Sequence, residues 1–183
     1  MQITYRDVTI GSASTPYDPV ERTIRRIWTA NDVLGRSSHA TQLIKLLRKH
    51  TSLDVRPGSC PNEYALASAA ALHVSLVGNA EFDVRDVDPS SIEMWIESSG
   101  DGPIRPEATK IEDNATPYVA EDGGCHSAKS DGLMDLSMRF TKQALLNGLH
   151  LKSFPQKTAL RVVVTGKRGD GTTFRATDTL RLR

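Results

Sequence analysis

Apolar and polar residues alternate in short runs over the carboxy-terminal two-thirds of the chain. Every second residue of a β-strand faces the same side, so this alternation predicts strands that each bury one face. The runs begin at Leu72, Ile92, Leu136, Leu160 and Phe174. Gly169-Asp170-Gly171, between the last two runs, predicts a tight hairpin. Several short strands joined by turns predict a mainly β domain with a β-sandwich fold.

One short helix interrupts these predicted strands. Thr141 is a residue type that caps helices, and Gly148 is a residue type that ends them. The sequence between them predicts a single helical stretch near Gln143–Leu146.

The first 52 residues have a different pattern. Residues 1–10 mix β-branched and polar residues, which is typical of a strand. Apolar residues three or four positions apart then predict two short amphipathic helices, Val20–Trp28 and Ser38–His50. Because two short helices cannot bury both apolar faces alone, we expect this N-terminal arm to dock on the second part, on itself or on another chain.

Charge supports the same division of the 183 residues into two parts. Residues 1–52 contain eight Lys or Arg and four Asp or Glu, whereas residues 53–183 contain 15 and 18. This predicts an arm over 1–52 and a β domain over 53–183. The net charge of the whole chain is only +1, which argues against a nucleic-acid partner. No apolar run approaches the roughly 20 residues of a membrane-spanning helix, so no membrane insertion is expected.

Acidic residues cluster in one Gly-containing loop, Ser130–Asp135. Asp131 and Asp135 can direct oxygens towards one point if the loop curls at Gly132. Ca²⁺ takes about six to eight oxygens, so two carboxylates do not suffice. Further oxygens can come from Glu112, Asp113 and Asp122. The alternative is an Asp-Gly turn in which Asp135 caps the end of a strand.

Cys60 and Cys125 are the only cysteines. They can form one disulfide in an oxidising compartment, or they can remain two unpaired thiols. Trp95 lies between Glu93 and Glu97 on one strand, which is compatible with a sugar-binding face. The alternative is a solvated face with the tryptophan packed on a neighbour. Nucleotide-binding loops and nucleophile elbows are absent from the sequence, so no motif of these two classes marks a catalytic residue.

Four segments, in order, are similar to one known family. Leu53–Asn62 (LDVRPGSCPN) resembles the DIKPGSCPN opening of a module found, often C-terminally, in bacterial secreted and surface proteins. Residues 74–92 are similar to its VAILGTxDFDVxxIDPxSV run, and residues 111–118 to its EDVATPF segment. Asp131–Phe140 (DGLMDLSMRF) is similar to its DGxxDLxLxF motif. The resemblance covers about residues 53–183.

The resemblance implies an immunoglobulin-like β-sandwich without enzyme activity. It also implies an extracellular or cell-surface location, with the acidic loop as a Ca²⁺ site. The sequence MQITYRDVTI shows no export signal, so a virion component is the alternative location. We therefore predict a structural, assembly or adhesion module that contacts protein subunits as a homo-oligomer or within a larger assembly. The alternatives are a carbohydrate-binding accessory module and a virion decoration protein.

Overall fold

A computed structural model describes residues 2–12, 20–47, 49–117, 125 and 127–183. Strands account for 54% of the residues, so the protein is mainly β, as predicted. The chain forms two compact units, Met1–Arg48 and Lys49–Arg183. We call the first unit the arm and the second the body.

The arm is one antiparallel sheet of three strands in the order β1-β2-β3. Its strands are β1 (Gln2–Ser12), β2 (Val20–Asn31) and β3 (Ser37–Leu47). A turn between β2 and β3 is held by Asp32, whose Oδ1 accepts the N–H groups of Leu34 at 2.8 Å and Arg36 at 2.9 Å. Gly35 in this turn has a φ of 81°, a left-handed conformation that favours glycine.

The two helices predicted for the arm are wrong, because both segments are strands. Two residues four apart, such as Ile24 and Trp28, lie on one face of a helix but also on one face of a strand. Pairing with neighbours decides between these structures. Ile24 lies opposite Thr9 of β1 on one side and Ile44 of β3 on the other. The cross-strand partners stabilise a sheet that the local spacing alone did not indicate.

The body contains eight strands and one α-helix within its described residues. The strands are β4 (Lys49–Val55), β5 (Glu63–Tyr64), β6 (Leu72–Leu76), β7 (Val87–Ile96), β8 (Ala108–Glu112), β9 (Asp135–Phe140), β10 (Ala159–Arg168) and β11 (Thr173–Leu182). Their order is β7-β10-β11-β4-β6-β9-β8, with β5 beside β11. Helix α1 (Lys142–Asn147) follows β9, and Thr141 Oγ1 caps it by accepting the Ala144 N–H at 3.2 Å.

Strand β4 connects two groups of strands. Residues 49–52 pair in parallel with β11, and Leu53–Val55 then pair antiparallel with β6. The carboxylate of Asp178 lies where β4 changes partner. Its Oδ2 accepts the Val55 N–H at 2.7 Å and an Nδ2 hydrogen of Asn62 at 2.9 Å. This carboxylate therefore satisfies a backbone donor that has left one ladder and fixes the segment after β4.

The hydrophobic core lies in the body. The alternating apolar residues of the predicted strands are buried, including Val74, Met94, Met138, Val162 and Phe174. The arrangement is consistent with a sandwich-like or barrel-like fold. Among the described residues, no helix has the length and apolar character needed to cross a membrane.

We expect Asp178→Ala to lower the free energy of unfolding by about 3 kcal/mol, because it leaves the buried Val55 N–H without its acceptor and removes one of the two acceptors of the Asn62 amide. Glu107→Gln is the control, since it removes one carboxylate from an exposed ion pair with Arg139 and should change stability little. Urea denaturation of the three proteins measures the difference. Equal stability of the two variants would contradict this role of Asp178.

Candidate functional site

The acidic loop is organised around the buried carboxylate of Asp135, the first residue of β9. Its Oδ1 accepts the Gly78 N–H at 3.0 Å. Its Oδ2 accepts the N–H groups of Asn114 at 2.9 Å and Ala115 at 2.8 Å. Burial raises the pKa of Asp135 above its ordinary value, although these three hydrogen bonds oppose the shift. Asp135 therefore joins three separate segments of the body.

The neighbouring acidic residues also hold backbone in place. Asp113 accepts the N–H groups of Asp131 at 3.0 Å and Gly132 at 2.9 Å. Asp131 accepts the Leu133 N–H at 2.9 Å, and Glu112 accepts a hydrogen bond from the Lys110 ammonium at 2.6 Å. These contacts help to hold the shape of the loop.

Calcium binding by these residues stays a prediction. Asp113, Asp131 and Asp135 lie in one region, as the sequence indicated, but their oxygens accept backbone N–H groups. Asp122 lies outside the described residues. In the part of the chain that is described, no group of three or more His, Cys, Asp or Glu side chains is placed to hold a metal ion.

Cys60 and Cys125 form a disulfide. Their Cα atoms are 5.3 Å apart, and 65 positions separate them in the sequence. The bond ties the segment after β4 to the region that precedes the acidic loop. It closes the long segment between these two regions of the body.

The suggested sugar-binding face on β7 is not exposed as the sequence interpretation required. The side chain of Trp95 is only 1% exposed and offers no ring face to a ligand. Glu93 lies 3.2 Å from Arg105, and Glu97 lies 2.5 Å from Arg175. Trp95 sits opposite Val163 of β10, a strand buried through its middle on both faces. This correction leaves Trp95 as a core residue.

One buried carboxyl group in the body is not held in the way Asp135 and Asp178 are. Asp54 on β4 is 1% exposed, and its Oδ2 has no hydrogen-bond partner among the described residues. Burial, together with the nearby carboxylates of Asp178 and Asp135, raises the pKa of Asp54 to about 7. Its protonation therefore couples the stability of the body to pH.

An open cavity of about 510 Å³ lies beside β5 and β6 and is lined by Arg56, His73 and Arg183, among other residues. Both arginines are engaged by the same residue. Arg56 donates to the backbone carbonyl of Glu63, and Arg183 lies 3.4 Å from the Glu63 carboxylate. Both arginine side chains therefore have a partner within the protein, namely Glu63.

The arm presents an aromatic face that the sequence interpretation missed. Strand register puts Tyr5 of β1 opposite Trp28 of β2, with their ring centroids 5.3 Å apart. Arg26 forms two hydrogen bonds of 2.8 Å to the carboxylate of Asp7, and its guanidinium lies 4.2 Å from the Tyr5 ring centre. Trp28 Nε1 donates to Gln42 Oε1 of β3 at 3.3 Å. These contacts require all five side chains to lie on one side of the sheet.

We define the aromatic face by the residues that share this side in the three strands. They are Ile3, Tyr5, Asp7, Thr9, Ile24, Arg26, Trp28, Ala30, Ser38, Ala40, Gln42 and Ile44. None of the described side chains of the arm is buried. Tyr5 and Ile3 are each 57% exposed. The arm therefore exposes apolar surface on an ordered sheet.

Two signals in the sequence could have revealed this face. Asn31-Asp32 and Gly35 are turn-forming residues between two runs of similar length, which is typical of a hairpin. Ile3 and Tyr5 also alternate with polar residues in the first run. Together they favour a hairpin with an added strand over two helices.

Comparisons with known proteins leave the chain without an assigned family. No protein-family model matches it, and no curated protein matches it.

We expect the double variant Cys60→Ser/Cys125→Ser to have a free energy of unfolding about 4 kcal/mol lower than that of the unaltered chain. Without the disulfide, the unfolded chain regains the entropy that closing a loop of this length removes. The matched control is the unaltered chain in excess reductant, which should be equally destabilised. Chemical denaturation with and without reductant provides the comparison. Reductant that leaves the midpoint of the unaltered chain in place would refute the effect.

The raised pKa of Asp54 predicts the direction of a pH effect. The unfolded chain releases this proton near its ordinary pKa of about 4. The folded chain holds it until about pH 7. Stability should therefore fall as the pH rises from about 4 to about 7, and then level off.

Asp54→Asn should reduce this loss and raise the melting temperature at about pH 8 more than at about pH 5. Part of the slope should remain, because burial also raises the pKa of Asp135. Asp86→Asn, at an exposed site, is the control. Thermal melts at the two pH values test the idea, which fails if Asp54→Asn and the unaltered chain have parallel pH profiles.

Proposed function

We propose that this chain is a non-catalytic structural module that makes protein–protein contacts within an assembly, with the arm as its contact element. The carrying observation is the aromatic face, an ordered sheet surface on which Ile3, Tyr5 and Trp28 are not buried. Three strands in one layer have no second layer to cover such a surface. Exposed apolar patches on an ordered element are typical of interaction sites.

The opposite side of the arm differs from the aromatic face in its charge. Strand register places Arg6, Arg25 and Lys45 there, and its described side chains include no acidic residue. We call this side the basic face. A contact made through the aromatic face leaves these cations in solvent, where they cost no desolvation.

The body supports a scaffold role. Its buried carboxylates at Asp135 and Asp178 accept several donors each and fix the backbone. An immunoglobulin-like β-sandwich is part of the proposal, supported by β4, which pairs with strands of two groups. An extracellular, cell-surface or virion location is supported by the disulfide, which persists in oxidising surroundings.

The proposed contact predicts that a charge on the aromatic face prevents assembly. Tyr5→Lys places an ammonium in the contact, whereas the control Thr4→Lys places the same charge on the adjacent residue of the basic face. Both sites are exposed on an edge strand, so both variants should fold.

Light scattering coupled to size-exclusion chromatography measures the mass of the three proteins. We expect the unaltered chain and Thr4→Lys to exceed the 20.0 kDa monomer mass, and Tyr5→Lys to return towards it. An unaltered chain that stays at the monomer mass over a wide range of concentrations would contradict the proposal. Equal assembly of both lysine variants would contradict the role of the aromatic face.

A further inference from the structure

The turn between β2 and β3 displays two apolar side chains where turns usually carry polar residues. Val33 is 89% exposed and Leu34 is 75% exposed. The turn is nevertheless well held, because Asp32 accepts the N–H groups of Leu34 and Arg36 and lies 2.5 Å from the Arg36 guanidinium. Val33 and Leu34 therefore form a pre-ordered apolar knob at the end of the arm.

A shallow groove of about 380 Å³ lies on the same hairpin. It is lined by Ile3, Trp28 and the small residues Ala30, Ser38 and Ala40, together with Thr29 and His39. Ala30 and Ser38 are directly paired across β2 and β3, one pair beyond the pair that closes the turn. The groove thus lies near the turn end of the sheet, with most of its lining on the aromatic face.

We propose that the occupant of this groove is the Val33–Leu34 knob of a second copy of the chain, and that the two copies exchange knobs around a two-fold axis. This inference rests on the proposed assembly function and names its partner. A chain that carries both a projection and a matching depression at one end can satisfy both contacts at once in a symmetric pair. The knob does not fill the groove of its own chain, since both of its side chains remain exposed.

Charge distinguishes which face a second copy can cover. On the aromatic face, the charge of Arg26 is neutralised by its two hydrogen bonds to Asp7. Arg22, the remaining described cation on this side of β2, lies outside the aromatic face as defined, at the end of β2 away from the turn. A copy approaching the groove therefore meets no unpaired like charge. The basic face would instead oppose Arg6, Arg25 and Lys45 to the same three cations.

Substitutions at the knob and at the groove test the contact separately. Leu34→Glu puts a charge on the knob, and Leu34→Met is its control because it keeps an apolar side chain. Ala40→Phe fills the groove, and Thr41→Phe is its control because it adds the same ring to the opposite face of β3. All three positions are exposed, so folding should be preserved.

Sedimentation equilibrium of the five proteins gives the dimer dissociation constants. We expect Leu34→Glu and Ala40→Phe each to weaken the dimer by about tenfold or more, which corresponds to the loss of one buried apolar side chain. Leu34→Met and Thr41→Phe should stay close to the unaltered chain. Retained dimerisation in Leu34→Glu or Ala40→Phe would overturn the knob-and-groove contact.

The outcomes also separate this inference from the proposed function. If Tyr5→Lys dissociates the assembly while Leu34→Glu does not, the aromatic face is a contact surface but the knob is not its occupant. If the unaltered chain is monomeric throughout, both proposals fail.

A mixing experiment tests the pairing directly. Chains carrying Leu34→Cys and chains carrying Ala40→Cys are purified separately and then combined under mild oxidation. With the two kinds of chain at equal concentration, cross-linked dimers that contain one chain of each kind should form much more than twice as fast as dimers of either kind alone. A mixed product that forms only twice as fast as each like product, the statistical ratio, would indicate random collision and would overturn the proposed exchange.

Discussion

A single layer of three strands cannot bury apolar side chains against a second layer of its own, and this constraint governs the interpretation of the arm. Its strands are well paired, and its turn is fixed by Asp32. Backbone hydrogen bonds are therefore satisfied while the aromatic face is left uncovered. Because apolar surface removed from water contributes about 25 cal/mol per Å², covering this face would stabilise an assembly substantially.

Unlike the arm, the body buries its apolar side chains in a core of its own. Its core is apolar, and its buried polar residues include two carboxylates at places where backbone leaves a ladder. Asp178 serves the point where β4 changes partner, and Asp135 serves the acidic loop. Buried acceptors of this kind cost free energy unless each finds donors. Asp54 is the exception. Burying its charged form costs free energy, and its pKa is raised as a result.

Much of the body could be predicted from the sequence because the alternation there has a single structural interpretation. Leu72, Val74 and Leu76 lie at every second position, and helical spacing does not fit them. The arm could not be assigned in this way, since Ile24 and Trp28 share a face in either structure. The cross-strand partners of Ile24, Thr9 and Ile44, lie about 15 and about 20 positions away, and only this long-range pairing decides between the two structures.

At the candidate site, too, the contacts of individual side chains could not be predicted from the sequence. The sequence placed carboxylates together in a Gly-containing loop, but it could not tell whether their oxygens face an ion or backbone N–H groups. It also could not reveal that Trp95 is covered, because covering depends on which strand lies beside β7 and on what packs over it. The helical prediction for β2 also concealed the contact between Tyr5 and Trp28, which depends on the pairing of β1 with β2.

Hydrogen–deuterium exchange of the arm amides at low and high protein concentration tests the central claim most directly. A covered aromatic face predicts that amides of β1, β2 and β3 exchange more slowly at high concentration, while amides of the body core exchange at one rate throughout. Arm amides that exchange equally fast at both concentrations would mean that the sheet stays uncovered, which would contradict the account.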